Sequence, residues 1–300
     1  MSKRILFFSL VFVLIAGLAR AKGNTYISFV YGYTPLHLSD FEDHVKSLNT
    51  MFNSIYDNFP PVGQEVEKTI GLAGLKRASS FESELRMEIV RRFEIGILFT
   101  YYFAQQESRS SVRAGNYEVL AEMTTKLTII NPNLVLFHYI PFSKRFTLEL
   151  YAGAGYYYAH LPFNQFLSFD HPELFGHINY FYQQAVKANL GSHGLGALAG
   201  VTLEIRPVRF LGILLGGRYR TVHMGRLSGS GTFKDTYTPL TEIERGVLYY
   251  YYDQDLEQEF GADFPLLIYS EDEPTGLEGL KEARLNLTGW TLIIGLRIWF

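Results

Sequence analysis

Glu82, Glu84, Arg86 and Glu88 occupy every second position of one short stretch of the sequence. Glu94, Glu149, Glu204, Arg218, Arg220 and Arg297 recur in other stretches of the same alternating character, and Lys126 joins them by parity. Side chains two residues apart share one face of an extended strand, so this set can line either a passage or an ion-paired interior. Three histidines, His160, His193 and His223, have the opposite parity near the ends of their stretches. Imidazoles at similar height on neighbouring strands could bind a metal or a lipid phosphate, or act as a base. Ser192 precedes His193 directly, but adjacent strand residues point to opposite faces, so the two cannot cooperate in hydrolysis without a bulge. In YYYYDQDLEQEF, the carboxylates Asp253, Asp255, Glu257 and Glu259 share a face if extended and form a weak candidate for Ca²⁺ or Mg²⁺, lacking the glycine of an EF-hand loop. Tyr249 to Tyr252 just before them read as an exposed aromatic patch.

Composition limits what these groups can be doing. The 300 residues contain no cysteine, which excludes disulfides, zinc–thiolate sites, iron–sulfur clusters and a cysteine nucleophile. A formal charge of −3 argues against phosphate-backbone recognition. The first 21 residues carry Lys3 and Arg4, an apolar run from Ile5 to Leu18 and an Ala19-Arg20-Ala21 exit, the pattern of a secretory signal peptide. Its apolar run is shorter than the roughly 20 residues of a spanning helix, and no long apolar run follows.

The elements that must position the charged residues are strands. In GWTLIIGLRIWF, Trp290, Leu292, Ile294, Leu296, Ile298 and Phe300 form one large apolar face, and the other parity is mixed. Similar alternation over 211–220, 194–205, 146–158, 93–103 and 82–89, with Tyr26 to Tyr33 and a less regular stretch at 122–139, predicts eight strands. Pro132 reads as a bulge in the irregular stretch. Connections alternate between short ones near 91–92, 141–145 and 206–209 and long ones at 35–79, 108–117, 161–191 and 225–282. Short turns at one end and long loops at the other are the outer-membrane pattern, and Phe93, Phe146, Phe210 and Phe300 would lie at one level as an aromatic girdle.

At this level the sequence resembles the small eight-stranded outer-membrane barrel superfamily containing OmpX-like, OmpA-barrel-like and OmpW-like proteins. The resemblance covers residues 22–300 as architecture and is most specific at Ile298-Trp299-Phe300. It implies that these three residues form the signal read by the barrel-assembly machinery, which would then be a partner. It implies no activity, because this architecture hosts anchors, adhesins, narrow pores and lipid-modifying enzymes.

Two long segments carry further signals. Ser39-Asp-Phe-Glu42 is a capping-box pattern, and Phe41, Val45, Leu48, Phe52 and Ile55 follow at helical spacing, predicting a short amphipathic helix that ends before Pro60 and packs on the rim or another loop. The segment 225–282 has 13 acids and four bases and reads as a solvated acidic hairpin. If 232–238 and 247–252 crossed the membrane as a hairpin, the strand count would rise to ten.

The expectation is therefore an all-β chain: residues 1–21 a signal peptide and residues 22–300 a transmembrane antiparallel up-and-down β-barrel of about eight strands, with long extracellular loops and a short helix in the first. It would sit in outer-membrane lipid, without enzymatic activity, cofactor, metal or nucleic-acid partner, and serve a structural or surface-interaction role, meeting any extracellular ligand through its loops. A narrow channel for small, hydrophobic solutes is the alternative, and a lipid-modifying enzyme the third reading.

Overall fold

The computed structural model of the chain describes residues 26–36, 39–58, 65–115, 117–174, 177–237, 239–252 and 265–299. They form one helix, α1 (Ser39–Asn58), and one antiparallel sheet. Its strands are β1 (Tyr26–Pro35), β2 (Val66–Thr69), β3 (Arg77–Val90), β4 (Phe93–Ala114), β5 (Tyr117–Pro141), β6 (Phe146–Leu174) and β7 (His177–Val208). They continue with β8 (Leu211–Arg226), β9 (Ser228–Asp235), β10 (Thr241–Tyr252), β11 (Pro265–Ser270), β12 (Glu278–Glu282), β13 (Arg284–Asn286) and β14 (Gly289–Trp299).

Eight of the fourteen pair in a closed ring. β3 to β8 follow one another, β8 pairs β14, β14 pairs β1, and β1 returns to β3. Five of the other six arise in segments expected to be loops, and β13 lies just after the last of those segments. β9 and β10 do form the hairpin that could have raised the count to ten, but it pairs with the upper part of β7 and leaves the ring at eight.

The register fixes the stagger of the ring. From Tyr33 one route passes through Ser79 to Phe103 on β4. The other passes through Leu292, Gly217, Val201, Leu150 and His138 to Phe93 on the same strand, ten residues lower. A ring closed with this stagger tilts its strands by about 40°.

β4 to β7 are longer than the alternation suggested, and their amphipathicity explains why. Near the short turns the outward residues are large and apolar: Ile97, Phe99, Tyr101 and Phe103 on β4, and Leu134 and Leu136 on β5, are all exposed. Higher up the faces exchange character. Outward positions become Glu107, Arg109, Lys126, Asn164 and Lys187, while Val119, Ala121, Met123, Leu161, Phe163, Val186 and Leu190 are buried inside. The described residues of the segments 108–117 and 161–191 are therefore almost all paired strand, not loop. A search for apolar-out alternation stops where the polarity inverts.

The inner apolar face of this upper sheet receives α1. Phe41, Val45, Leu48, Met51, Phe52 and Ile55 are buried in one cluster with inward residues of β4 to β8 and with Ile243, Leu248, Leu285 and Leu287. Phe41 meets Phe163 edge-on at 5.6 Å, and His44 Nε2 lies 2.9 Å from Gln165 Oε1. Asp40 and Glu42 in the first turn suit the positive end of the helix dipole. Asp40 also accepts from the Arg284 backbone N–H at 3.2 Å and pairs with Lys281 at 3.3 Å, tying the helix to the last segment. The expected helix is present and packs, as one of the two expected placements had it, on residues of another long segment, Ile243 and Leu248, while its remaining contacts lie on the inside of the sheet rather than on its rim.

Two readings of β5 require correction. Pro132 causes no bulge: the register to β4 is continuous from Phe93↔His138 to Ala114↔Tyr117, and the register to β6 is unchanged on either side of it. Pro132 faces outward and lacks an N–H, and the side-chain amide of Asn131 donates to Tyr156 O at 2.9 Å in its place. Without a bulge the parity carries through, so Lys126 lies exposed on the outer face and not in the interior.

Candidate functional site

The interior of the ring is built in layers. Near the short turns lie Arg86 from β3 and Arg297 from β14, whose side chains are 2% and 1% exposed. Arg297 Nη1 reaches Glu149 at 3.1 Å and Glu204 at 3.0 Å, and its Nη2 reaches Glu84 at 2.9 Å. Its Nε donates to Ser28 Oγ at 2.9 Å. Arg86 binds Glu149 through both terminal nitrogens, at 2.6 and 2.8 Å, and also pairs with Glu84. Glu94 accepts from the Tyr26 hydroxyl at 2.8 Å and from Tyr139. Glu204 accepts from Arg206 at 2.8 Å and from the Trp299 indole at 2.8 Å.

These residues reach one another because alternation on seven strands of a narrow ring aims them at a common axis. Glycines leave the room: a Cβ on Gly212 would lie 2.4 Å from Glu204 Oε1. Glu88, assigned to the same set by parity, is exposed at the open end of β3 and lies outside the network. Tyr26, Tyr139, Arg206 and Trp299 belong to it, although the sequence reading placed them in strand ends, a turn or an assembly signal.

Above this layer Arg218 forms a two-pronged pair with Glu82 across the ring, with Nη1 3.0 Å from Oε2. Arg220, one step higher, is 1% exposed and forms no ion pair among the described residues. Neutral oxygens hold it: Leu287 O at 2.6 Å, Thr291 Oγ1 at 2.7 Å, Thr34 Oγ1 at 3.3 Å and Tyr102 Oη at 3.4 Å. The Tyr102 ring lies 4.9 Å from its guanidinium carbon. Arg86, Arg206, Arg218, Arg220 and Arg297 thus balance Glu82, Glu84, Glu94, Glu149 and Glu204 over the interior as a whole. Taking such charges out of water is unfavourable unless each is paired, so removal of one member is expected to be far worse than replacement of a pair.

Between the two layers remains a cavity of about 20 Å³ bounded by Glu82, Arg86, Phe137, Tyr151 and Arg297, space for about one water. Nε of Arg86 and of Arg218 are buried without a partner among the described residues, so a water there would have donors to meet. Higher still, Tyr102, Tyr157, Leu127 and Ile129 begin the apolar cluster that contains α1.

The outer face of the ring is the reverse of its interior. From Phe93 to Phe103 the outward positions of β4 are apolar or aromatic, a span of about 25 Å along the axis at the usual rise and tilt. Phe93, Phe146 and Phe210, three of the four residues of the expected girdle, are exposed at one end of this band. Tyr33, Tyr101, Phe103, Tyr158, Tyr219 and Trp290 are exposed toward the other.

His160, His193 and His223 are exposed on the outer face of β6, β7 and β8, as expected from parity. No group of histidines and carboxylates that could hold a metal occurs among the described residues. His193 stacks on Tyr156 with centroids 6.1 Å apart. Ser192 is buried on the opposite face and donates to Gly225 O at 2.7 Å, so it does not pair with His193.

Asp253, Asp255, Glu257, Glu259 and Phe300 lie outside the described residues, as does the leader. Tyr249 and Tyr250 are buried, and Tyr251 and Tyr252 half-buried, which corrects the exposed aromatic patch. β10 is covered by β11 and β12, and the Lys281 ammonium sits 4.2 Å above the Tyr250 ring. Burial pushes the Tyr250 phenol above its ordinary range, with the Tyr252 hydrogen bond adding to the shift. No helix among the described residues is long and apolar enough to cross a membrane. No protein-family model matches the chain, and no curated protein matches it.

Proposed function

We propose that the chain is an integral outer-membrane β-barrel that acts as a closed scaffold, presenting the raised part of β4 to β7, the β9–β13 segment and α1 outside the cell for surface interaction. One observation carries this reading: the eight-stranded ring is apolar outside and charged inside over about 25 Å, the reverse of a water-soluble sheet protein and the height of a bilayer core. The aromatic residues at both edges of the band support it. Above the band β6 runs on from Tyr158 to Leu174, about 40 Å at the same rise and tilt, with His160 and Asn164 exposed on its outer face.

A plugged scaffold accounts for the interior better than a conduit does. Two ion-paired layers, a cavity of about 20 Å³ and the apolar cluster around α1 succeed one another along the axis. A lipid-modifying enzyme would need a nucleophile beside a base, and Ser192 and His193 face opposite ways.

The test is reconstitution of residues 22–300 into lipid vesicles. Migration on a gel that changes on heating, protease protection of the band, and silence in a planar bilayer for both the wild type and Arg218→Ala, Arg220→Ala are expected. A chain that stays monomeric in detergent-free buffer would overturn the membrane reading. Discrete openings altered by the two substitutions would overturn the plug and make the protein a channel.

A further inference from the structure

Four outward residues on consecutive strands form a row immediately above the apolar band. Lys126 on β5 lies diagonally across from His160, because Thr128 is the residue opposite His160. His160 lies diagonal to His193, which faces Tyr158, and His193 lies diagonal to His223, which faces Leu195. Each step descends two residues along the register in the direction from β5 to β8. The stagger of ten residues over eight strands raises the register in that same direction by a little over one residue per strand. The two motions largely cancel, so the three histidines sit within about 3 Å of one height, each neighbour about 7–8 Å from the next.

The surroundings of the row define what it would take. Ile130, Tyr156, Tyr158, Leu195 and Tyr219 lie directly below, exposed, at the rim of the band. From Asn164 and Lys187 down to that rim, the outward positions of β6, β7 and β8 carry no carboxylate. This is unusual for a chain of net negative charge whose segment 225–282 carries an excess of nine acids. Among the described residues Lys126 forms no ion pair, and the imidazoles of His160, His193 and His223 neither donate nor accept a side-chain hydrogen bond. Exposed ring donors, one fixed cation and no carboxylate beside the three histidines describe a surface for an anion, with Glu107 on β4 diagonal to Lys126 as the nearest outward acid, and the height of the row selects the anion. Groups just outside the hydrocarbon edge of a bilayer are lipid headgroups.

We infer that Lys126, His160, His193 and His223 form a docking surface for the phosphate of a phosphorylated outer-leaflet lipid, whose acyl chains lie along the aromatic residues below. The inference rests on the outer-membrane reading given above. Ring N–H groups and the lysine ammonium donate to the phosphate oxygens, and no bond is made or broken.

The experiment uses residues 22–300 in phosphatidylcholine nanodiscs doped with a diphosphorylated glucosamine-disaccharide lipid or with its dephosphorylated form. Lipid retained after extraction into neutral detergent is read by native mass spectrometry, and imidazole signals by NMR. The wild type is expected to keep the phosphorylated lipid and release the dephosphorylated one. Lys126→Gln with His160→Gln, His193→Gln and His223→Gln should lower retention by about tenfold or more while the heat-sensitive gel band is unchanged, because all four side chains are exposed. Equal retention by the wild type and the variant, or equal retention of both lipids, would overturn the docking surface. Saturation of the imidazole shifts by inorganic phosphate, without selection between the lipids, would assign the row to free phosphate and overturn the lipid. If the wild type gives no heat-sensitive band in any disc, the barrel reading falls and takes the inference with it. A band with no lipid selection leaves the barrel standing and removes the inference alone.

Discussion

Arg297 on β14 and Glu149 on β6 meet across the ring with 3.1 Å between Nη1 and Oε2, although three strand steps separate them by the shorter route. Their contact couples opposite walls directly, through the interior, in addition to the hydrogen-bonded ladder around it. Arg86 binds the same carboxylate from a third wall, so Glu149 is the hub of the layer.

Arg297→Met leaves Glu149, Glu204 and Glu84 short of a cation in a buried layer. It should lower stability by about 3–5 kcal/mol, read as the midpoint of urea unfolding in vesicles. Adding Glu149→Gln should recover part of that loss. Additive losses in the double variant would show that the two charges do not interact.

Asn131 supplies the donor that Pro132 lacks, so Asn131→Ala should lower stability by about 1–3 kcal/mol. In a Pro132→Thr background the backbone N–H is restored, and the same Asn131→Ala change should be felt less. An equal effect in both backgrounds would deny the substitution of side chain for ladder.

Gly212 and Gly217 lie on the same strand and face opposite ways. A Cβ at Gly212 collides with Glu204, whereas one at Gly217 meets only Thr291 O at 3.6 Å. Gly212→Ala should therefore lower stability by about 1–3 kcal/mol and Gly217→Ala by much less. Equal unfolding midpoints would contradict the packing around Glu204.

Phe52 is fully buried on α1, and Asn53 beside it is exposed. Phe52→Ala should weaken the helix docking by about 3–5 kcal/mol and admit protease to residues 39–58, while Asn53→Ala leaves the cleavage pattern unchanged. The ring itself should keep its heat-sensitive gel band in both variants.

What the sequence disclosed depended on where contrast between faces survived. Trp290 to Ile298 could be read because large apolar residues alternate with Thr291, Gly295 and Arg297, and the burial alternates in step. The upper halves of β6 and β7 could not be read the same way, since Leu161, Phe163 and Leu190 face inward where apolar residues had faced outward below. Lys126 was misplaced by a single assumed bulge, because a slip of one residue exchanges the faces of a strand. Arg86, Glu149, Glu204 and Arg297 were legible as interior charges. Their partners Tyr26 and Trp299 were not, because nothing in an amphipathic ring at a strand end says which polar group its tip will meet.

The place of α1 in the chain bears on the order of assembly. It follows the first strand of the ring, yet its apolar face is covered by β4 to β8 and by the last segment, which are made later. Because the helix lies between two ring strands in the chain, β1 before it and β3 after β2, it is not a stopper added to a finished vessel. The later hairpins must wrap around it as around a mandrel. Contacts so distant in sequence form slowly, so Leu161, Phe163 and Leu190 of the upper sheet stay uncovered for as long as wrapping takes.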